Sequence, residues 1–128
     1  MTEERSCCPA PRVKDWASDW RTLGTIWGIP AVAMLAGGLL EPLPRAAVWT
    51  IALIWMGVAC LANARRCRRT HCRFTGPFYL VMALLVVMLA VGLLPLGRYG
   101  WHVLGAATVL GTGLVWCGTE RIWGAFSR

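Results

Sequence analysis

Four long stretches of the sequence contain no Asp, Glu, Lys or Arg. They cover residues 22–40, 46–64, 74–97 and 99–119 and are 19, 19, 24 and 21 residues long. A helix crosses the roughly 30 Å hydrocarbon core of a bilayer with about 20 residues, so each stretch is long enough to span a membrane. Only 15% of the residues are charged, against about 25% in soluble domains. The sequence therefore predicts an all-α polytopic membrane protein with a four-helix transmembrane bundle.

The polar residues around these stretches divide the chain into three regions. We expect an N-terminal segment, a transmembrane domain and a tail, at residues 1–21, 22–119 and 120–128. Within the domain, residues 65–73 are predicted to form a basic loop, and the third helix to begin near Pro77, because Gly76-Pro77 is typical of a break and a first-turn proline. Trp16 and Trp20 are four residues apart, so the N-terminal segment is either an interfacial helix or a simple extension of the first span.

Basic residues are divided unequally between the two sides of this arrangement. The side with both termini and the predicted basic loop has eleven Lys and Arg residues, whereas the other has only Arg45 and Arg98. Lys and Arg near helix ends are retained in the cytoplasm. We therefore expect a multi-pass protein of the bacterial inner membrane with both termini cytoplasmic. Topology accounts for most of the net charge of +7, so we expect contacts with membrane lipids and none with nucleic acid.

Six cysteines are many for 128 residues, and the predicted topology brings all of them to the cytoplasmic side. Cytoplasmic thiols stay reduced, so a disulfide framework is not expected. Reduced thiols gathered at one membrane face favour the binding of a soft metal ion. The candidate metal ligands are Cys7, Cys8, Cys60, Cys67, His71 and Cys72.

The predicted basic loop holds Cys67, His71 and Cys72. Its arginines are Arg65, Arg66, Arg68, Arg69 and Arg73. Cations near a thiol stabilise the thiolate, which is the form that binds metal; alternatively, the arginines only set the topology. If the second helix continues beyond residue 64, Cys60, Asn63, Cys67 and His71 would form a stripe on one helix face.

Other polar positions have two readings each. Cys60 and Cys117 lie among apolar residues, where a free cysteine also packs as a small hydrophobic side chain. The vicinal pair Cys7-Cys8 either captures a soft ion or belongs to an unstructured tail. His102 is either an entry-side ligand or an interfacial residue, and Asn63 is predicted to make an interhelical hydrogen bond.

With Cys7-Cys8, with Cys67 and Cys72 after the second helix, and with its small size, the chain resembles the mercuric-ion transport proteins of bacterial mercury-resistance operons. In that family one cysteine pair accepts the ion and a loop pair passes it to a cytoplasmic reductase. The resemblance implies that Cys67 and Cys72 are the inner relay pair. The family's vicinal pair lies within its first transmembrane helix, whereas Cys7-Cys8 precedes that helix here.

The sequence contains no G-x-S-x-G, no H-E-x-x-H and no glycine-rich phosphate loop. We therefore expect a protein that is not an enzyme and holds no permanent cofactor. It is predicted to transport a soft thiophilic ion, foremost Hg(II), by thiol relay to a cytoplasmic metal reductase or thiol acceptor. The alternative is a non-transporting accessory or scaffold protein whose arginine-rich loop binds anionic lipid or a protein partner.

Overall fold

The computed structural model describes Trp16 and residues 19–124, apart from the side chain of Cys67. The predictions for Cys7, Cys8 and the end of the tail fall outside this part of the chain. The described residues are helical and contain no strand. The elements in chain order are α1 (Trp20–Leu23), a π-helical turn (Gly24–Gly28), α2 (Ile29–Gly37), α3 (Pro42–Cys67), α4 (Thr70–Ala90), a 3-10 turn (Gly97–Tyr99) and α5 (Gly100–Trp123).

Three helical segments are long and apolar enough to cross a membrane. They are Pro42–Arg66, Thr70–Ala90 and Gly97–Trp123. These segments correspond to the last three of the four charge-free stretches, so the helical fold and three of the predicted spans agree with the sequence. By length and composition, the chain is therefore compatible with a membrane protein.

The first charge-free stretch forms a shorter and irregular helix. From residue 20 to residue 37, α1, the π-helical turn and α2 extend about 27 Å at 1.5 Å per residue. The amide of Ile29 donates to the carbonyl of Gly24, five residues earlier, instead of four. Pro30 follows at once and has no N–H to donate, and glycine is a weak helix former, so Gly24 and Gly28 leave this turn easily distorted.

The connection between α3 and α4 is much shorter than the sequence predicts. Only Arg68 and Arg69 lie between the two helices, and Arg68 makes the turn in the left-handed region at φ 52°. The predicted loop 65–73 and the predicted helix start near Pro77 are therefore wrong. Arginines mark the edge of an apolar span, but they do not end a helix, and cations in the last turn of α3 are favoured by its dipole. Pro77 is accommodated inside α4, at an exposed position.

The hairpin of α3 and α4 packs closely through two glycines. A Cβ atom on Gly76 would lie 2.7 Å from Cγ of Leu61 and 3.2 Å from the carbonyl oxygen of Gly57. Small residues at helix contacts allow such close approach in membranes. The buried apolar core follows this hairpin and includes Leu53, Met56, Met82, Ala83 and Val86.

The described helices are arranged as an open arc. Helix α2 packs against α3, α3 against α4, and α4 against α5. Among the described residues, no Cα atom of α2 lies within 8 Å of a Cα atom of α5. The arc therefore has a closed side along the α3–α4 hairpin and an open side between the first and last helices.

Candidate functional site

A cluster of buried polar side chains lies where α3 and α4 meet at the hairpin turn. From α3 it includes Cys60 and Asn63, which are three residues apart and share a face. From α4 it includes His71 and Cys72 in the first helical turn, with Thr75 one turn further along. All five are buried, and Asn63 and Cys72 are 0% exposed. The antiparallel hairpin brings these residues together because its turn is only two residues long.

The two thiols of this cluster lie next to each other. Cys60 and Cys72 are both buried in the same core cluster, close enough to interact electrostatically. The amide Nδ2 of Asn63 donates to Sγ of Cys72 at 3.5 Å. The indole Nε1 of Trp27, in the π-helical turn, donates to Sγ of Cys60 at 3.3 Å. Both sulfur atoms therefore accept hydrogen bonds, an arrangement that suits sulfur carrying negative charge. The bond from Asn63 to α4 also confirms its predicted interhelical role.

An imidazole and a carboxylate extend the cluster toward the end of the molecule. Nδ1 of His71 lies 2.6 Å from Oε1 of Glu120 on α5, and Nη1 of Arg69 lies 3.3 Å from the same oxygen. The His71 ring stacks on the indole of Trp116, with ring centroids 4.2 Å apart and planes at 9°. His71 directly precedes Cys72 in the first turn of α4. Neighbouring polar side chains thus extend from Cys60 and Cys72 to Glu120, whose side chain is 27% exposed.

A small cavity of about 30 Å³ adjoins the thiols. Cys60, His71 and Thr75 line it, together with Trp27 and Trp116. The hydroxyl Oγ1 of Thr75 is buried and makes no hydrogen bond within the described part of the chain. A space of this size accommodates one water molecule. The cavity therefore offers room and an unused polar group beside the sulfur of Cys60.

The structure corrects the predicted surroundings of the loop residues. His71 and Cys72 are not in a solvated basic loop; they are buried within α4, because the helix begins at Thr70. The predicted stripe of Cys60, Asn63, Cys67 and His71 does not form along one helix, because α3 ends at Cys67. His71 instead reaches Cys60 and Asn63 from the opposing helix.

The remaining predicted residues occupy different places. Arg65, Arg66, Arg68 and Arg73 are exposed, and the guanidinium of Arg66 lies 4.8 Å from the ring centroid of Trp16. The hydrogen bond to the Cys72 sulfur comes from Asn63, and a thiolate-stabilising role of the arginines remains a prediction. The positions Cys7, Cys8 and the Cys67 side chain fall outside the described residues. Cys117 is exposed.

Sequence reasoning missed three residues of the site. Glu120 is predicted in the tail, but α5 continues to Trp123 and carries this carboxylate to His71. Trp27 and Trp116 are apolar in character and give no local signal of a polar contact. The sequence contains one hint of the contact between Glu120 and His71. A lone carboxylate stands at the end of an apolar span, opposite a histidine on another span.

The number of side chains that could ligate a metal ion in this site is small. Within the part of the chain described, no three side chains of His, Cys, Asp or Glu lie close enough together to hold a metal ion. The arrangement offers a pair of thiols, which is a donor set for soft ions. Comparison of the chain with protein-family models, curated proteins and solved structures finds no match.

Proposed function

We propose that this protein binds a soft thiophilic cation between Cys60 and Cys72 and moves it across a membrane, with Hg(II) as the foremost candidate. The observation that supports this most directly is the pairing of two buried thiols in one core cluster, with a small cavity beside Cys60. Thiolates select soft ions over Mg²⁺ or Ca²⁺ by ligand softness. The pair differs from the relay pair that the resemblance implies, since Cys60 takes the place of Cys67.

The neighbouring groups suit the proton release that such binding requires. A divalent ion held by two thiolates displaces two protons, because a thiol must be deprotonated to bind metal. His71 is the buried neighbour of Cys72 in the first turn of α4 and is proposed to accept one of these protons. Glu120 stabilises the resulting imidazolium and connects it to the partly exposed end of the site. The second proton is carried away by the water molecule or counter-ion that the metal ion releases on binding.

The direction of transfer follows from charge. With eleven basic residues on the hairpin side, that side is proposed to face the cytoplasm of a bacterium, with α1, the π-helical turn and α2 forming a short fourth span. The ion would then pass from the Cys60–Cys72 pair through Cys67 at the end of α3 to a cytoplasmic metal reductase or thiol acceptor. This is the organisation of the mercuric-ion transport proteins that the chain resembles.

The test is Hg(II) binding by the full chain with Cys7, Cys8, Cys67 and Cys117 replaced by Ser. We expect one Hg(II) per chain, held against competition from a monothiol. Cys60→Ser and Cys72→Ser should each weaken binding at least about tenfold, and the double variant should be little worse, because the two thiols act as a unit.

The matched control is Cys117→Ser in the otherwise unchanged chain. Cys117 is exposed and lies outside the cluster, so its loss should leave uptake of Hg(II) by cells unchanged, whereas Cys60→Ser and Cys72→Ser should abolish most of it. Full binding and uptake in both of these variants would contradict the proposal.

A second candidate rests on the four exposed arginines around the hairpin turn. They form a basic surface that suits anionic lipid head groups or an acidic protein partner. In that case the protein is an accessory or scaffold subunit, and its thiols only pack. Replacing these arginines by Gln would then remove its cellular effect, while Cys60→Ser and Cys72→Ser would not.

A further inference from the structure

The open side of the helical arc contains a large cavity. It has a volume of about 500 Å³ and lies between α2 and α5, against one wall of α3. Its lining is almost entirely apolar and includes Ala31, Met34, Trp49, Met56 and Gly105. Cavities of this size hold small organic ligands in other proteins. At the level of a lipid bilayer, such a cleft takes up a hydrocarbon chain.

A second cavity continues the cleft toward the end opposite the thiols. Its volume is about 340 Å³, and Gly38, Trp49 and Gly105 line both spaces. Beyond these shared residues its walls are more polar, because Arg45 and His102 join Trp101 there. Of the residues that line the two cavities, none is Asp or Glu. The combined space thus has an apolar body and a basic mouth.

Arg45 is held at this mouth with one donor unused. Its Nη2 donates to the carbonyl of Leu40 at 2.7 Å, and its guanidinium lies 5.3 Å from the ring centroid of Trp101. Its Nε is buried and makes no hydrogen bond to any residue that the structure describes. A buried N–H without an acceptor is unfavourable. An anionic oxygen at the mouth would supply the missing acceptor.

The inner end of the cleft is closed by two hydroxyl groups. Thr112 Oγ1 and the phenol oxygen of Tyr79 are hydrogen-bonded at 3.2 Å, and both residues also border the small cavity beside Cys60. A chain lying in the cleft therefore ends at this pair and does not reach the thiols. The cleft and the thiol cluster are separate sites.

We propose that this cleft binds one acyl chain of an anionic membrane phospholipid, with the phosphate held by Arg45 and His102. The apolar body accommodates the chain, and the basic mouth selects the charge of the head group. The lipid site does not depend on metal transport, because Arg45 and His102 lie at the other end of the bundle and the Tyr79–Thr112 pair separates the cleft from Cys60.

The experiment measures lipid binding by the full chain in detergent, using native mass spectrometry with dioleoyl phosphatidylglycerol and dioleoyl phosphatidylcholine. The two lipids have the same chains and differ in head-group charge. We expect one tightly bound phosphatidylglycerol per chain and weaker binding of phosphatidylcholine. Arg45→Gln should weaken phosphatidylglycerol binding by about tenfold, as expected for a hydrogen bond to a charged group.

The control for charge is Arg98→Gln. Arg98 is the other basic residue on this side, but it is exposed and stacks on Tyr99 without lining either cavity. The control for the cleft is a pair of alanines on α2: Ala31 lines the cleft and Ala36 does not. Ala31→Phe should remove tight binding of both lipids, and Ala36→Phe should leave it unchanged.

Four results would overturn the inference. One is equal binding of the two lipids by the unmodified chain, and another is equal loss in Arg45→Gln and Arg98→Gln. The third is that the chain forms a dimer instead of a lipid complex and that Ala31→Phe disrupts this dimer. The fourth is displacement of the lipid by millimolar inorganic phosphate, which would show that the mouth binds a free anion instead. If Arg45→Gln fails to fold, His102→Gln tests the same mouth from an exposed position.

Discussion

The two ends of this bundle are built from similar helices, but they are packed in opposite ways. At the hairpin end, Cys60, Asn63, His71 and Cys72 are buried close together, and the turn between their helices has two residues. At the other end, the first and last helices separate, and a cleft of about 500 Å³ remains. The short connection between α3 and α4 forces close packing and brings polar side chains together. Helices α2 and α5 are not joined directly, and they leave space for a ligand.

The largest expected difference between the two ends is their exposure to the two sides of the membrane. In a chain with Cys7, Cys8, Cys67 and Cys117 replaced by Ser, we would introduce Arg73→Cys at the hairpin end or Arg98→Cys at the cleft end; both positions are exposed. A membrane-impermeant maleimide should label the Arg98→Cys variant in intact spheroplasts. It should label the Arg73→Cys variant only after permeabilisation, because basic residues are retained in the cytoplasm.

The converse labelling would reverse the proposed orientation and with it the argument that the thiols stay reduced. The buried native thiols provide an internal control: with neither cysteine introduced, the same background should remain unlabelled until the protein is denatured, because Cys60 and Cys72 are buried.

The next largest effect should come from the close helix contact behind the thiol cluster. Gly76→Ala places a methyl group 2.7 Å from Cγ of Leu61 and 3.2 Å from the backbone oxygen of Gly57. We expect the free energy of unfolding to fall by about 1–3 kcal/mol, as for other overpacked interiors. Unfolding in mixed micelles, followed by circular dichroism, measures the change.

Gly113→Ala is the matched control, because a Cβ atom at Gly113 meets nothing within 4 Å. This change should leave stability unaltered or raise it by up to about 1 kcal/mol, since alanine is the better helix former. Equal destabilisation by the two substitutions would mean that the hairpin is no more tightly packed than the exposed face of α5.

A smaller effect is expected from the carboxylate that closes the cluster. Glu120→Gln keeps the shape of the side chain but removes the charge that faces His71 and Arg69. We expect a loss of about 1 kcal/mol in the free energy of unfolding, since Glu120 is partly exposed and its ion pairs are correspondingly screened. Glu41→Gln makes the same chemical change at the other end, where the Glu41 side chain makes no capping hydrogen bond, and should be neutral. An unchanged free energy of unfolding in Glu120→Gln would show that the stabilising polar contacts end at His71.

Much of the fold could be read from local composition. The stretch 46–64 lies inside the helical span Pro42–Arg66, and the stretch 99–119 lies inside Gly97–Trp123. These predictions succeed because a bilayer span needs only a run of about 20 apolar residues. The start of α4 was not predictable in this way. Charge marks where a chain leaves the apolar layer, whereas a helix continues until its backbone turns, here at Arg68.

The site was predictable only as a set of residues near one membrane face. Cys60, His71 and Cys72 are all candidates by sequence, but the spacing of Cys60 and His71 suggested neighbours along one helix. Their actual contacts are across a hairpin, and Glu120 joins them from a helix some fifty residues further along the chain. Which of these groups touch depends on where two helices end and how closely their glycines allow them to approach.

The sequence by itself therefore determined the helical class, three apolar spans and the unequal distribution of basic residues, because each of these depends on residues close together in the chain. Only the tertiary structure decided that Cys72 lies beside Cys60, that His71 contacts Glu120, and that Arg45 lies at the mouth of an apolar cleft. These arrangements depend on helix packing, in which a two-residue turn and the contact between Gly57 and Gly76 select one pairing of faces among many that the same apolar helices would allow.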